Sequence, residues 1–171
     1  MAGATVGSVQ VGGCQVSISG DFLDMSAREP LLVDLRERID ELAGVQGELC
    51  VVVLDVVDFA AVRDLYGDAT ADEVADRIGD SICSRTRGTD LVARVEDGVY
   101  VVVLTAVSDP GDASFVADKI CRQIGEPMTA SGHEIHLTVH AGIAIARAGE
   151  SGNDLIASAR RDAQTLSSTA F

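Results

Sequence analysis

Hydrophobic positions along the chain switch between a period of two and a period near 3.6, and each switch predicts an element. Ser8-Val-Gln-Val11 and Cys14-Gln-Val-Ser-Ile-Ser19 alternate on either side of Gly12-Gly13, which predicts a small hairpin with a two-residue turn. A lone hairpin is marginal in water, so this one is expected to lie on the main domain, on a partner or on a second copy. From Met25 to Ala43 the period lengthens: Leu31, Leu35, Ile39 and Leu42 share one helical face, Pro30 suits a first turn, and Gly44 and Gly47 close the helix.

Leu49-Cys-Val-Val-Val-Leu54 is an unbroken, β-branched apolar run, the mark of a central strand buried on both faces. Asp55 is expected to end it, and Asp58 to cap a short helix that turns Phe59, Val62 and Leu65 inward before Gly67. Asp68-Ala-Thr70 leads into a longer helix on the stripe Val74, Ile78 and Ile82, with Asp72, Glu73 and Asp76 toward its N-terminal half and Arg85 and Arg87 at its C-terminal end. Asp90 to Leu104 reads as a hairpin whose tip is Glu96-Asp97-Gly98, with Asp-Gly suited to a type I′ turn. Ser108-Asp-Pro-Gly111 is a turn. Ala113 to Gly125 is a helix with Phe115, Val116, Ile120 and Ile124 inward. Met128–Thr129 and Ile135–Ile145 flank the turn Ala130-Ser-Gly132, with Gly142 placed to bend the long second strand. Asn153 to Thr169 is a final helix on the stripe Leu155, Ile156, Ala159, Ala163 and Leu166.

Strands and helices are interspersed, and hairpins demand antiparallel pairs. The expected class is therefore α+β, one mixed sheet flanked by helices. Residues 1–20 form an N-terminal hairpin extension and 21–171 the domain proper.

Composition narrows the functions. The chain has 171 residues and a formal net charge of −14, a field that disfavours nucleic acid and anionic membranes as partners. An anionic nucleotide needs a local Arg cluster or a set of backbone N–H groups. Cys14, Cys50, Cys83 and Cys121 show no Cys-x-x-Cys pairing, which argues against zinc and redox motifs. Val11-Gly-Gly-Cys14 lacks the basic and apolar lead-in of a lipoprotein signal, and no apolar run is long enough to span a bilayer. A cytoplasmic address is expected by elimination.

Several motifs of residues 21–171 occur in the order of a known family. Leu54-Asp-Val-Val-Asp-Phe59 resembles a metal-binding strand followed by a short helix with a buried Phe. Val62, Asp64, Gly67 and Asp72 fall at the family's apolar, acidic, glycine and nucleotide-contacting positions. Arg87-Gly-Thr-Asp-Leu-Val-Ala-Arg94 is similar to the run before its signature hairpin, and Leu137-Thr-Val-His-Ala-Gly-Ile-Ala144 to its Thr–Gly–Ile–Ala strand. The chain resembles the GGDEF domain, the diguanylate cyclases of bacterial signalling, whose fold is similar to the polymerase palm and to class III nucleotidyl cyclases. The signature Gly-Gly-Asp/Glu-Glu-Phe then falls on Glu96, Asp97, Gly98, Val99 and Tyr100, and only the final aromatic survives. Arg63 stands where the family has a guanine-reading Asn, and Val57 where the metal strand has its second Asp. The basic residue of the last helix falls near Ser167. Asp21-Phe-Leu-Asp-Met-Ser-Ala-Arg28 lacks the glycine of the family's opening motif.

Phosphoryl transfer on GTP needs metal to neutralise the triphosphate. Asp55 alone is a poor Mg²⁺ site, so the expectation is no catalytic residue, no cofactor and no diguanylate cyclase activity. Asp55, Asp72, Glu96, Asp97 and Gly98 would be a vestigial nucleotide site, with Mg²⁺ entering only if Asp55 joins Glu96 or Asp97 in a remodelled enzyme. Arg87-x-x-Asp90 matches the family's product site for cyclic di-GMP, with Arg122 or Lys119 as a second basic contact. The bland alternative is that Arg87 complements a helix end and Asp90 opens a strand. His133, His136 and His140 read as ordinary histidines rather than metal ligands. Three functions follow: an inactive effector binding cyclic di-GMP at Arg87 and Asp90, an interaction module docking a protein partner or a second copy, or a remodelled cyclase. A chain this short also fits a piece of something longer.

Overall fold

The computed structural model describes residues 8–11, 14–17, 36–37, 39–42, 49–107, 109–147 and 149–168. Eight strands and four helices are labelled here. They run β1 Ser8–Val11, β2 Cys14–Ser17, β3 Leu49–Val57, α1 Phe59–Tyr66, α2 Asp68–Cys83, β4 Leu91–Glu96, β5 Val99–Thr105, α3 Pro110–Gly125, β6 Met128–Ala130, β7 His133–Ile135, β8 Thr138–Ile145 and α4 Gly152–Ser168. Residues 36–37 and 39–42 are also helical. The rest of the helix expected over 25–43 lies outside the described residues, as do Leu166 and Ser167 as side chains.

One sheet of order β1-β2-β4-β5-β3-β8 carries the domain, and β6 and β7 pair separately. All pairs in the large sheet are antiparallel except β2 with β4. The α+β expectation holds. β3 lies between β5 and β8, and Leu49 to Leu54 are all buried. Alternate residues feed two cores. Cys50, Val52, Leu54 and Val56 face α2 and α3, while Leu49, Val51 and Val53 face α4 and Ile39. The N-terminal hairpin joins the main sheet, β2 running parallel to β4 over Gln15–Ser17 and Leu91–Ala93.

Several expectations shift. Asp55 does not end β3, which continues to Val57 because β8 pairs with it as far as Thr138. The strand expected over 135–145 is two. Ile135 ends a pairing with Met128, and Thr138 begins the pairing with β3, so the chain changes sheets at His136-Leu137. Helix α3 starts a turn early, at Pro110, because the Asp109 carboxylate accepts from the Gly111 N–H at 2.7 Å. Phe115 faces solvent, 59% exposed, beneath Lys119. The inward stripe of α3 is Ala113, Ala117, Ile120 and Ile124, and Phe115 lies on the far side of it. Leu65 is 74% exposed. Steps of three residues drift about 60° around a helix, so Leu65 has left the face of Phe59.

Gly142 does not simply bend β8. A Cβ there would overlap the Ala159 carbonyl oxygen and the Ala163 amide, so the missing side chain lets α4 lie directly on the strand. Gly142→Ala is expected to lower unfolding free energy by about 3 kcal/mol or more, since backbone on both sides has nowhere to go. Gly79→Ala, in the interior of α2 with open space at its Cβ, is expected to raise it by about 0.5–1 kcal/mol. Urea unfolding of the two variants checks the contrast.

Candidate functional site

The site is built around the β4–β5 hairpin. Glu96 pairs with Val99, leaving Asp97-Gly98 as the two-residue loop, with a register shift between Arg94 and Glu96. Gly98 has φ +75°, and Asp97 is not among the positive-φ residues. The expected type I′ turn, which needs positive φ at both positions, is therefore absent. The bulge at Val95 supplies the extra residue instead. Gly98 is tightly enclosed: its carbonyl accepts from the Val56 N–H at 2.7 Å. A Cβ on it would stand 2.7 Å from Phe59 Cβ and 3.1 Å from the Val56 carbonyl oxygen. Tyr100, 1% exposed, anchors the hairpin from behind by donating to the Ala75 carbonyl at 3.1 Å. Burial pushes its phenol well above the ordinary value.

Both tip acids are held by arginines. Arg94, whose side chain is 6% exposed, donates to Asp97 at 2.6 Å. Arg63 on α1 donates to the same carboxylate at 3.2 and 3.3 Å, to Asp68 at 2.7 Å, and stands 3.7 Å from Asp72. Asp68 and Asp97 hold the Arg63 guanidinium above its usual pKa, the Asp68 hydrogen bond contributing most. Arg160 on α4 donates to Glu96 at 2.8 Å. Asp72 and Asp97 thus meet through Arg63, and Glu96 turns away to the opposite side. Arg63 was legible as a substitution, but its partnership with Asp97 was not. Arg160 was missed altogether, although an exposed acid at a hairpin tip signals the need for a cation.

Asp55 is half-buried next to the tip, opposite Val99 on β5 and His140 on β8. The residues do not fit a Mg²⁺ site. Val57 offers no oxygen from its side chain, and a side chain at 98 would run into Phe59 and the Val56 carbonyl. Among the described residues no three His, Cys, Asp or Glu side chains are placed to hold a metal. His133 stacks near Tyr66 with ring centroids 4.8 Å apart, and His136 lies 3.1 Å from Glu134. Asp58 occupies the N-cap position of α1, but in the left-handed conformation and with no side-chain cap bond, so the expected carboxylate cap is not made.

The Arg87-x-x-Asp90 turn divides in two. Asp90 is 4% exposed and bonded inward: its carboxylate accepts from the Arg87 N–H at 2.7 Å, the Thr105 N–H at 2.9 Å and the Thr105 hydroxyl at 3.2 Å. The Arg87 side chain is exposed. Arg122 is exposed on α3, and no hydrogen bond among the described residues joins it to Arg87 or Asp90. The loop reaches α3 through Arg85, which donates to Gln123 at 2.7 Å. Two of the cysteines are not activated: burial pushes Cys50 up to about 12 and Cys121 up to about 11.

A family model described as the diguanylate cyclase GGDEF domain matches residues 24–169. The chain belongs to the GGDEF domain family. Among curated relatives of this GGDEF domain, the bifunctional diguanylate cyclase/cyclic di-GMP phosphodiesterase MucR of Pseudomonas aeruginosa is 27% identical over 131 residues, 77% of the chain and 19% of MucR. The chain therefore spans about a fifth of that relative. Among solved structures, the GGDEF domain of TpbB from the same organism superposes with TM-score 0.73 at 25% identity, over 84% of this chain and 90% of that one. The GGDEF domain of DgcB from Caulobacter crescentus, in complex with c-di-GMP, gives 0.72 at 18%, over 84% and 85%. Among the described residues no helix is long and apolar enough to cross a membrane.

Asp90→Ala is expected to destabilise the fold by about 1–3 kcal/mol, because two backbone N–H groups and a hydroxyl lose their acceptor. Arg87→Ala should change stability by less than about 0.5 kcal/mol. Thermal unfolding of both variants separates a structural Asp90 from a surface Arg87.

Proposed function

We propose that this GGDEF domain serves cyclic di-GMP signalling without synthesising the dinucleotide. The observation that carries it is the fate of the tip. The Asp97 carboxylate is spent on Arg63 and Arg94, and position 98 is a glycine packed against Phe59 and Val56. Among the described residues no three His, Cys, Asp or Glu side chains are grouped to hold a metal ion. Without metal, the charge that builds on a transferring phosphoryl group has no counter-charge. On this proposal residues 1–20 are an accessory hairpin, 21–171 the signalling domain, and its place of work the cytoplasm. Its output goes to a protein partner or a second copy.

Recognition of cyclic di-GMP at Arg87 is supported by the exposure of that guanidinium and by the likeness in fold to DgcB, which was crystallised with c-di-GMP. Asp90 would act there by shaping the turn, since its oxygens already accept three hydrogen bonds. Arg122 would be an outlying cation.

Incubation of the wild-type chain with GTP and Mg²⁺ or Mn²⁺ should yield no cyclic dinucleotide by mass spectrometry. Clear product would end the proposal in favour of a remodelled cyclase. Calorimetry with cyclic di-GMP should give heat for the wild type and at least about tenfold weaker binding for Arg87→Ala, the loss of one charge-assisted pair. Silence from the wild type would leave a nucleotide-independent interaction module.

A further inference from the structure

The main sheet ends on β1 at one side and on β8 at the other, and the chain treats the two ends differently. At the β8 end, the Asp162 carboxylate on α4 accepts from the Ile143 N–H at 3.0 Å. A side chain thereby occupies a backbone donor that another strand would need. Among the described residues, no strand pairs with the outer edge of β1. Folded proteins usually guard such an edge with charge, proline or a bulge. β1 reads Ser8-Val-Gln-Val11 and pairs with β2 without a register shift, and residues 1–20 hold neither proline nor a charged side chain. Every charged side chain, and with it the whole net charge of −14, lies in residues 21–171.

For a lone molecule the hairpin is a poor addition. Without it the sheet would end on β4, where Arg94, Glu96 and the bulge at Val95 already guard the edge. β2 covers Leu91–Ala93 and leaves an unguarded strand outermost. Two bodies of charge −14 repel each other. The uncharged hairpin is where two copies can approach with least repulsion. We propose that β1 is a dimerisation edge, pairing antiparallel with β1 of a second copy across a twofold axis. Such a pairing is isologous and consumes both open edges, while the Asp162 contact blocks the remaining one, so assembly stops at two. Four residues a side make a small interface, and the dimer is weak and concentration-dependent. This rests on the second-copy reading of the output above, not on the absence of synthesis.

The test is the mass of the full chain by sedimentation equilibrium in physiological salt. With rising concentration the wild type should move from 17.8 kDa toward twice that mass. Amide exchange of residues 8–11 should slow in step, a readout that needs no variant. With the twofold axis at Val9 or Gln10, residue 10 stands opposite its own counterpart or diagonally across from it. Gln10→Glu and Gln10→Lys should therefore each set like charges together and weaken the dimer about fivefold. An equal mixture of the two should restore it, because opposite charges then meet. A wild type that stays at 17.8 kDa overturns the proposal and the second-copy reading together. The dimerisation edge alone is overturned by a dimer that neither variant weakens, by unchanged exchange at residues 8–11, by a mixture no tighter than its components, or by growth beyond two copies.

Discussion

The structure depends on β3 having no polar side chain from Leu49 to Leu54. A strand that is apolar on both faces must be covered on both. One face is met by α2 and α3, through Ile78, Ile82, Ile120 and Ile124, and the other by α4, through Leu155 and Ala159. Its two edges are taken by β5 and β8. The helices can come close because small residues line the contacts. Gly142 lets α4 reach the strand backbone, and Ala71, Ala75, Ala113 and Ala117 are fully or nearly fully buried. A core dominated by Val, Ala and Ile fills at native density only if its layers approach closely.

That constraint explains which parts of the fold were legible. Unbroken runs and long stripes fixed β3, β5, α2 and α4, since burial leaves no other partner for them. Errors arose where size was taken for burial. Phe115 looks inward by composition, but the stripe belongs to Ala113 and Ala117 two residues either side. The break at His136-Leu137 was invisible because both halves alternate correctly, and only the change of partner from β6 to β3 interrupts the strand. The N-terminal hairpin was readable as a hairpin. Its parallel pairing with β4 was not, because nothing local encodes which edge a strand will find.

The site was legible as a set of losses and less so as a set of gains. Aligning a motif reveals that Gly98 and Val99 carry no acid, and the position of Arg63 marks a changed side chain. What the chain does with Arg63 depends on the bulge at Val95, beyond which Asp97 meets Arg63 on α1. Register shifts of this kind redirect every side chain beyond them. Asp90 shows the opposite failure. Its spacing from Arg87 suggests a ligand contact, yet a buried carboxylate beside the unpaired Thr105 N–H is drawn inward by the backbone.

Why the hairpin keeps its place without the signature residues follows from where it is fastened. The Tyr100 hydroxyl holds α2 at Ala75, and the Gly98 carbonyl holds β3 at Val56. Neither bond uses a signature carboxylate. Arg94 contributes from below, its guanidinium 5.9 Å from the Phe59 ring centroid as well as against Asp97. The anchoring atoms are a backbone carbonyl, a phenol and a nearly buried guanidinium, so the acids at the tip were free to change without releasing the strands. The replacement acids at 96 and 97 then found arginines on α4 and α1 respectively. The tip is in this way tied to helices on the two faces of the sheet, and those ion pairs are a consequence of the same rigid frame.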